Sequence, residues 1–504
     1  MSPGILITVI SFYFLILIII SRITGKNASN FTFFLGNRQS PWYVVAFGMI
    51  GASLSGVTFI SIPGEVGSSN FSYMQIVFGY LLGYFIIANV LMPVYYRLNL
   101  TSIYVYLKQR FGIMSYRTGA FFFMISRVIG ASFRLFLVAI VLEKFIFSAW
   151  GVPFWVAVAV TIIFIWIYSF RAGIKTIVWT DTLQTFFMLL AVIFSLWFIG
   201  HQLHLGFGEM ISSISESRFS QIFVWNWKPG NNFFKHFLAG VFISIAMTGL
   251  DQDMMQKNLS CRNLKEAKKN MYWMSTSLIF VNLLFLSLGA LLYIYAHSQN
   301  LIIENFHNPD AACKIGLYDS LISLYKCSPT DQLYPYIALT HLPALAGIVF
   351  ILGLVAAAYS SADSALAALT TSFCVDFLGF AGKDDRIRLR YLVHIGFSLL
   401  IFIVIIIFRL INNDSVINSL FTIAGYTYGP LLGFFAFGLF TRAKVKDKWI
   451  PVVAVVSPLI CYIVSSRSQQ WFGGYKFGFE LLILNGLLTF LGMLILSVRT
   501  NKAL

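Results

Sequence analysis

Polar side chains that could hold a small cation stand together within an otherwise apolar stretch, residues 337–373. Ser360, Ser361, Asp363 and Ser364 follow one another there among alanines and leucines. At about 100° per residue of an α-helix, one stripe contains the small and hydroxyl residues Ala357, Ser360, Ser361, Ser364, Ala368 and Thr371. Hydroxyl and carbonyl oxygens are hard donors, which suit a small hard cation without adding net charge.

A packing role is the alternative for this stripe. Small residues let helices approach each other, and hydroxyl groups bond back to their own helix. Asp363 favours a cation instead, because a carboxylate deep in an apolar helix is costly and usually faces a cavity or a partner.

Small residues also interrupt two other apolar stretches. The segment 48–56 contains three glycines and two serines and is followed by Pro63 and Gly64, and the segment 246–251 contains Thr248, Gly249 and Asp251. Residues of these types weaken a helix. They also permit close helix packing, which is the alternative to a break in the helix.

The composition indicates which solvent surrounds these elements. Of the 504 residues, 58% are hydrophobic and 11% are charged, whereas a water-soluble domain carries about 25% charged residues. The formal charge of +16 would also suit a nucleic-acid partner. The basic residues, however, lie in short loops between apolar spans, and no basic tail or zinc pattern is present. We therefore expect a membrane protein without a nucleic-acid partner.

Thirteen stretches are long and apolar enough to cross the hydrocarbon core, which takes about 20 residues of helix. Their approximate cores are 3–20, 41–62, 73–96, 118–147, 151–169, 176–200, 233–252, 271–296, 337–373, 391–411, 417–440, 449–465 and 477–498. The first run lacks the basic region and cleavage site of a signal peptide, so we expect it to be retained.

The basic residues of the loops predict the orientation. Of the 35 Lys and Arg residues, 24 follow odd-numbered spans, nine follow even-numbered spans and two lie within the fourth. The positive-inside rule then places the amino terminus outside and the carboxyl terminus in the cytoplasm of a bacterial inner membrane. Two long outside loops, 201–232 and 297–336, could carry short surface helices.

The second of these loops contains Cys313 and Cys327, separated by 13 residues. In an oxidising periplasm we expect them to form a disulfide. Two free thiols are the alternative.

The two interrupted helices are the second and the seventh, five positions apart. Five-helix inverted repeats that each begin with a discontinuous helix are a known plan of secondary transporters. Irregular backbone at membrane depth must line a cavity. We therefore expect one transmembrane domain, 1–504, with a binding site beside residues 51–56. Its inverted-repeat core would span about 41–200 and 233–440, with peripheral helices at 3–20, 449–465 and 477–498.

Three motifs resemble the sodium:solute symporter family, which includes bacterial proline, galactose and sialic acid symporters and animal glucose and iodide carriers. The stretch 360–376 (SSADSALAALTTSFCVD) resembles the family signature. The stretch 173–184 (GIKTIVWTDTLQ) resembles the segment that enters its sixth helix. The stretch 249–257 (GLDQDMMQK), with Lys265-Glu266-Ala267, resembles the exit of its seventh helix. The resemblance covers about residues 30–440.

The resemblance implies an all-α, LeuT-like, five-plus-five inverted-repeat fold and a symporter that imports a small organic solute by alternating access. Sodium would be the co-transported ion. We also expect the protein to work as a monomer. The family's main sodium site takes backbone carbonyls from the broken second helix and a carbonyl and two hydroxyls from the ninth. These positions correspond to Gly51, Leu54, Ala357, Ser360 and Ser361.

Other functions are the alternatives. A proton-coupled carrier of the same fold is one, and a sodium-coupled carrier of sugars, amino acids or inorganic anions is another. We do not expect an enzyme, because no HExxH and no clear GxSG motif is present and no histidine lies in mid-core.

Four residues are candidates for the solute pocket. Ser53 stands where proline symporters carry an Asp, and Ser53 and Thr58 stand where the bacterial galactose symporter has its Asn and Gln. Met247 replaces that carrier's aromatic gate. Arg134 lies mid-span in the fourth predicted helix, and its guanidinium matches a carboxylate. A structural ion pair or an interfacial position is the alternative for Arg134.

Asp181, Asp363 and Ser364 are candidates for a second cation site. Some family members bind an extra sodium between the sixth and ninth helices, and these three positions correspond to that site. Two carboxylates so close would repel each other unless a cation or a proton lies between them. A second sodium, a shared proton, or separate structural hydrogen bonds with Asp363 turned away are the three alternatives.

Overall fold

The computed structural model describes residues 3–26, 29–145, 147–170, 173–227, 229–304, 315–319, 324–328, 330–380, 386–411, 416–475 and 477–498. Helices make up most of this chain, as expected for a protein in lipid, where each backbone amide must be bonded within its own segment. Nine helical segments of the described residues are long and apolar enough to cross a membrane, and one bent pair would make a tenth. The exact number of thirteen spans therefore stays a prediction.

The amino-terminal half begins with α1 (Pro3–Thr24), α2 (Asn30–Leu35) and α3 (Trp42–Ser69). It continues with α4 (Tyr73–Ile86), a π-helical turn (Ile87–Leu91), α5 (Met92–Arg97), α6 (Val105–Arg110) and α7 (Ile113–Phe145). It ends with α8 (Phe154–Ser169), α9 (Ile174–Gln202) and a short helix, α10 (Phe207–Glu216), in the first long loop.

The carboxyl-terminal half begins with α11 (Phe233–Ser244), a π-helical turn (Ile245–Gly249), α12 (Gln252–Leu259) and α13 (Leu264–Ser298). It continues with α14 (Leu333–Tyr336), a π-helical turn (Ile337–His341), α15 (Ala344–Ser372) and α16 (Ile387–Ile411). The last helices are α17 (Val416–Phe440), α18 (Ile450–Trp471) and α19 (Leu481–Ile495). The predicted ninth span is thus interrupted, because Leu342 is extended and α15 begins only after Pro343.

Short strands lie outside the helical bundle. The second long loop carries an antiparallel sheet of β1 (Ile302–Glu304), β2 (Ile315–Asp319) and β3 (Leu324–Ser328), in which Ile302 pairs with Leu317. It carries strands where we considered surface helices. β4 (Lys444–Val445) pairs with β5 (Ser497–Val498). Cys313 lies outside the described residues, so its disulfide with Cys327 stays a prediction.

The two predicted helix breaks are present. Ser55 interrupts α3 with φ 58° and ψ 175°, a backbone region that non-glycine residues rarely adopt. The helical segment Phe233–Gly249 and α12 meet at an angle of 64°. Strained or broken backbone of this kind clusters at functional sites. Both breaks agree with the LeuT-like fold class predicted from the sequence.

Three helices, α3, α9 and α15, pack against one another and form the centre of the bundle. A Cβ atom added to Gly48 would lie 2.9 Å from Asp181 Cβ, and one added to Gly51 would collide with the Thr185 hydroxyl. Gly48 and Gly51 therefore allow α3 to approach α9, so close packing accounts for these glycines while Ser55 supplies the break.

Candidate cation and solute site

A cavity beside the break in α3 contains all four predicted solute residues. Ser53, Thr58, Arg134 and Met247 line it together. Its wall also contains polar groups that the sequence did not single out for this role, namely Arg127, Tyr73, Tyr80, Tyr84, Thr248 and Asn282. Such a largely apolar cavity with a few convergent polar groups is the usual form of a small-molecule site.

The two arginines of this cavity have different surroundings. Arg127 on α7 forms an ion pair with Asp253 and lies 3.8 Å from Asp251. Arg134, two turns further along α7, is 6% exposed. It makes no hydrogen bond or ion pair with any residue that the structure describes. An arginine in the middle of a membrane protein is costly without a counter-charge, so Arg134 presents an unoccupied guanidinium to the cavity.

The five predicted sodium ligands lie on α3 and α15, which pack against each other, and we call this helix contact the cleft between α3 and α15. Leu54 directly precedes the break at Ser55, where the regular ladder of carbonyl hydrogen bonds is interrupted. A Cβ atom added to Gly56 would lie 3.7 Å from the Cα of Ala358, so the helices are adjacent here. On the α3 side the candidates are Gly51 and Leu54, and on the α15 side they are Ala357, Ser360 and Ser361.

The serines of this cleft show how its oxygens are arranged. The Ser361 hydroxyl lies 3.5 Å from the Ala357 carbonyl, and the Ser360 hydroxyl donates to Asp181 Oδ1 at 2.7 Å. Both serines are fully buried. Each hydroxyl oxygen keeps lone pairs that can accept a cation. The cleft thus offers neutral oxygen donors, which suit one small monovalent cation.

Behind Ser360, the three residues predicted for a second cation form one buried cluster. The Ser364 hydroxyl lies 3.5 Å from Asp181 Oδ2 and 3.3 Å from Asp363 Oδ1, so it links the two carboxylates. Asp363 also accepts hydrogen bonds from the Ser364 amide and, at 2.9 Å, from the Tyr168 hydroxyl of α8. Asp363 therefore belongs to the cluster rather than standing apart from it.

Lys257 completes this cluster, and the sequence reasoning missed it. We counted it among the basic residues of a cytoplasmic loop, whereas it lies in α12 and is 1% exposed. Its Nζ is 2.8 Å from Asp181 Oδ2 and 3.8 Å from Asp253 Oδ1. The spacing of Asp253 and Lys257, four residues apart, was the available signal, because such a pair shares one helix face.

Every residue of α12 is buried, and polar side chains anchor it. Gln252 accepts a hydrogen bond from the Ile103 amide at 2.9 Å. Gln256 donates to the Phe34 carbonyl at 2.7 Å and to the Thr371 hydroxyl at 2.9 Å. These bonds fix α12 against its neighbours and hold the Lys257 ammonium in place.

This fold and this site define a secondary transporter of the five-plus-five inverted-repeat class. The model of the sodium:solute symporter family matches residues 33–447, and the chain belongs to that family. It is a sodium-coupled symporter with sodium as the co-transported ion, and it is not an enzyme. It is a multi-pass membrane protein, and its bacterial relatives support the inner membrane.

Similar proteins include symporters of several solutes. The sodium/sialic acid symporter NanT of Aliivibrio fischeri is 24% identical over 91% of this chain and 87% of its own length. Human sodium-coupled monocarboxylate transporter 1 is 24% identical over 89% of this chain and 69% of its own length.

Solved structures show the same fold. A substrate-bound, outward-open Na⁺-coupled sialic acid symporter superposes with a TM-score of 0.79 at 19% identity and covers 97% of each chain. The nucleobase-cation-symport-1 family transporter Mhp1 superposes with a TM-score of 0.54 at 13% identity, over 91% of this chain and 92% of its own.

Proposed function

We propose that the transported solute carries a carboxylate, and that Arg134 binds it. The observation that supports this is the buried guanidinium of Arg134, which lines the cavity and has no hydrogen bond or ion pair among the described residues. A planar guanidinium binds a carboxylate with two parallel hydrogen bonds. The names of the relatives agree, since sialic acid and monocarboxylates both contain this group.

The rest of the cavity would fix the remainder of the solute. Ser53 and Thr58 supply hydroxyls from α3 on either side of its break, and Met247 supplies an adaptable apolar surface from the π-helical turn that follows α11. Tyr73 and Tyr80, whose hydroxyls are 3.3 Å apart, add polar groups at one side. This arrangement suits a small organic acid with a hydroxylated or apolar body.

Sodium would bind in the cleft between α3 and α15 at Gly51, Leu54, Ala357, Ser360 and Ser361. It would order the break of α3 and thereby the neighbouring cavity, whose wall includes Ser53. The two bundles would then rock and open the site to the other side. A charge that moves inward gains about 2.3 kcal/mol per 100 mV of membrane potential, so one sodium can support a substantial solute gradient.

The topology forms part of this proposal. The protein would lie in a bacterial inner membrane with its amino terminus outside and its carboxyl terminus in the cytoplasm, because the basic residues of the sequence favour that orientation. It would work as a monomer, without a nucleic-acid partner. Its repeats would occupy about 41–200 and 233–440.

Uptake into proteoliposomes tests the solute class. Labelled N-acetylneuraminate, short monocarboxylates, a neutral hexose and a neutral amino-acid amide are offered with an inward sodium gradient, and then with a proton gradient alone. We expect sodium-driven uptake of at least one carboxylate and of neither neutral solute. Uptake of neutral solutes only would contradict the proposal, and uptake driven by protons alone would contradict sodium coupling.

Arg134→Gln provides the matched variant. Loss of a hydrogen-bonded charge pair costs about 1.5–3 kcal/mol, which corresponds to a KM for the carboxylate solute roughly 10- to 150-fold higher. Sodium binding in the absence of solute should stay unchanged, because Arg134 does not belong to the cleft. An unaltered KM would exclude Arg134 as the carboxylate ligand.

A further inference from the structure

A groove on the outer surface of the helical bundle combines apolar walls with a lysine at one end. It lies between α1, α3 and α9, and its walls include Ile23, Phe47, Trp179 and Phe186. We propose that this groove binds an anionic phospholipid, whose phosphate pairs with Lys175 and whose acyl chain lies along the apolar walls. The site is separate from the sodium and solute sites and does not depend on them.

Hydrogen bonds between the three helices fix the shape of the groove. The Thr24 hydroxyl of α1 lies 2.6 Å from the Thr176 hydroxyl of α9, and the Thr182 hydroxyl of α9 donates to the Val44 carbonyl of α3 at 3.1 Å. Thr24 and Thr182 line the groove, and both hydroxyls have partners within the protein. The groove is therefore already formed by the fold, and its threonines do not need a ligand.

Lys175 supplies the charge of the groove. It is the second residue of α9, it is half-buried in the groove wall, and it makes no hydrogen bond or ion pair with any described residue. The exposed Lys26 follows the end of α1, which the bond between Thr24 and Thr176 holds beside the start of α9. No Asp or Glu is among the described residues that line the groove. Its basic end is thus complementary to the phosphate of an anionic lipid.

The length of the groove matches one leaflet of a bilayer. Phe186 lies 11 residues after Lys175 on the same helix, which is about 16 Å along the axis. Half of a hydrocarbon core about 30 Å thick is similar. Trp179, one turn beyond Lys175, is 45% exposed, and an indole ring prefers the level of the headgroups. A phosphate at Lys175 would therefore place its acyl chain along the walls up to Phe186.

Other occupants fit the groove less well. A free phosphate would contact the ammonium and leave the apolar walls uncovered, although Ile23 and Phe186 are 72% and 52% exposed. A lipid without net charge would cover the walls and leave Lys175 without a counter-charge. A second copy of the chain would have to bring a carboxylate to Lys175 at headgroup depth. An anionic phospholipid satisfies the charge and the apolar walls together.

Native mass spectrometry of the full-length protein, stripped of lipid in an uncharged detergent, tests the inference. Phosphatidylglycerol is the probe, and phosphatidylcholine with the same chains and glycerol 3-phosphate are the comparisons. We expect one phosphatidylglycerol to bind the wild type more tightly than either comparison. Its Kd should be about fivefold higher in Lys175→Gln and nearly unchanged in Lys175→Arg. Lys446→Gln is the matched control, because Lys446 is an exposed lysine outside the groove, and its Kd should equal that of the wild type.

Equal affinities of the wild type for the two lipids, or equal losses in Lys175→Gln and Lys446→Gln, would overturn the inference. Glycerol 3-phosphate that binds as tightly as phosphatidylglycerol would assign the site to a free phosphate instead. A dimer that dissociates as phosphatidylglycerol binds would assign the groove to a second copy of the chain. If Lys175→Gln does not fold, the comparison of the three probes on the wild type and on Lys175→Arg decides.

Discussion

The two candidate cation sites lie side by side on α15 and differ in charge. The cleft against α3 contains Ser360 and Ser361 with backbone carbonyls, whereas the cluster against α9 contains Asp181, Asp363 and a lysine. A site of neutral oxygens can bind a diffusible cation, because its candidate ligands include no charged side chain. Buried carboxylates in a membrane protein, by contrast, are costly unless each is paired with an opposite charge. In our proposal, the transported sodium binds at the neutral site, whereas the charged cluster is held together by its own ion pair.

The largest expected effect is in the charged cluster. Asp181→Asn leaves the Lys257 ammonium without its nearest carboxylate, and breaking a buried ion pair costs about 3–5 kcal/mol of the free energy of unfolding. Lys257→Met alone should cost a similar amount in sodium-free buffer. The double variant should recover most of the loss, because neither charge is then left unpaired.

Denaturant or thermal unfolding in detergent, with potassium or choline as the only added cation, measures this cycle. A double variant that loses the sum of both single losses would show that the two residues are not coupled. The ion pair between Asp181 and Lys257 would then not stabilise the protein, and the proposed difference between the two sites would be wrong.

A smaller effect is expected in the neutral cleft. Ser361→Ala removes one of the proposed neutral oxygen ligands, which costs about 1 kcal/mol and lowers the sodium affinity roughly fivefold. Ser398→Ala is the matched control, because Ser398 on α16 is buried and bonds back to the His394 carbonyl four residues earlier. Its sodium affinity should equal that of the wild type.

The sodium dependence of the melting temperature, compared with potassium and choline, measures this effect. Equal shifts with all three salts in the wild type, or equal sodium affinities in both serine variants, would contradict a sodium site in the cleft.

The smallest effect on sodium binding should follow from Tyr168→Phe, which removes the hydroxyl that donates to Asp363 at 2.9 Å. A lost hydrogen bond to a charged group costs about 1.5–3 kcal/mol of the free energy of unfolding. Stability should fall by about that amount in every salt, while the sodium affinity of the cleft stays unchanged. A marked loss of sodium affinity in this variant would show that sodium binding depends on the charged cluster, and would contradict the separation of the two sites.

Much of the fold followed from the sequence for a simple reason. In lipid, each apolar stretch must satisfy its own backbone, so the composition predicts helices and the glycines and serines predict where they break. Ser55 lies in the predicted interruption of α3, and Leu250 and Asp251 lie in that of the seventh span. The short strands at 302–328 were not predicted, because outside the membrane the sequence pattern alone is weaker.

The sequence alone determined that Ser360, Ser361 and Ser364 share one face of a helix, because a period of 3.6 residues needs no partner to be read. It did not determine how the charges pair. Lys257 is 76 residues from Asp181 in the chain, and only the bend before α12 brings its ammonium to that carboxylate. Only the tertiary structure decided this pairing, because ion pairing depends on distances across helices, which no local pattern contains.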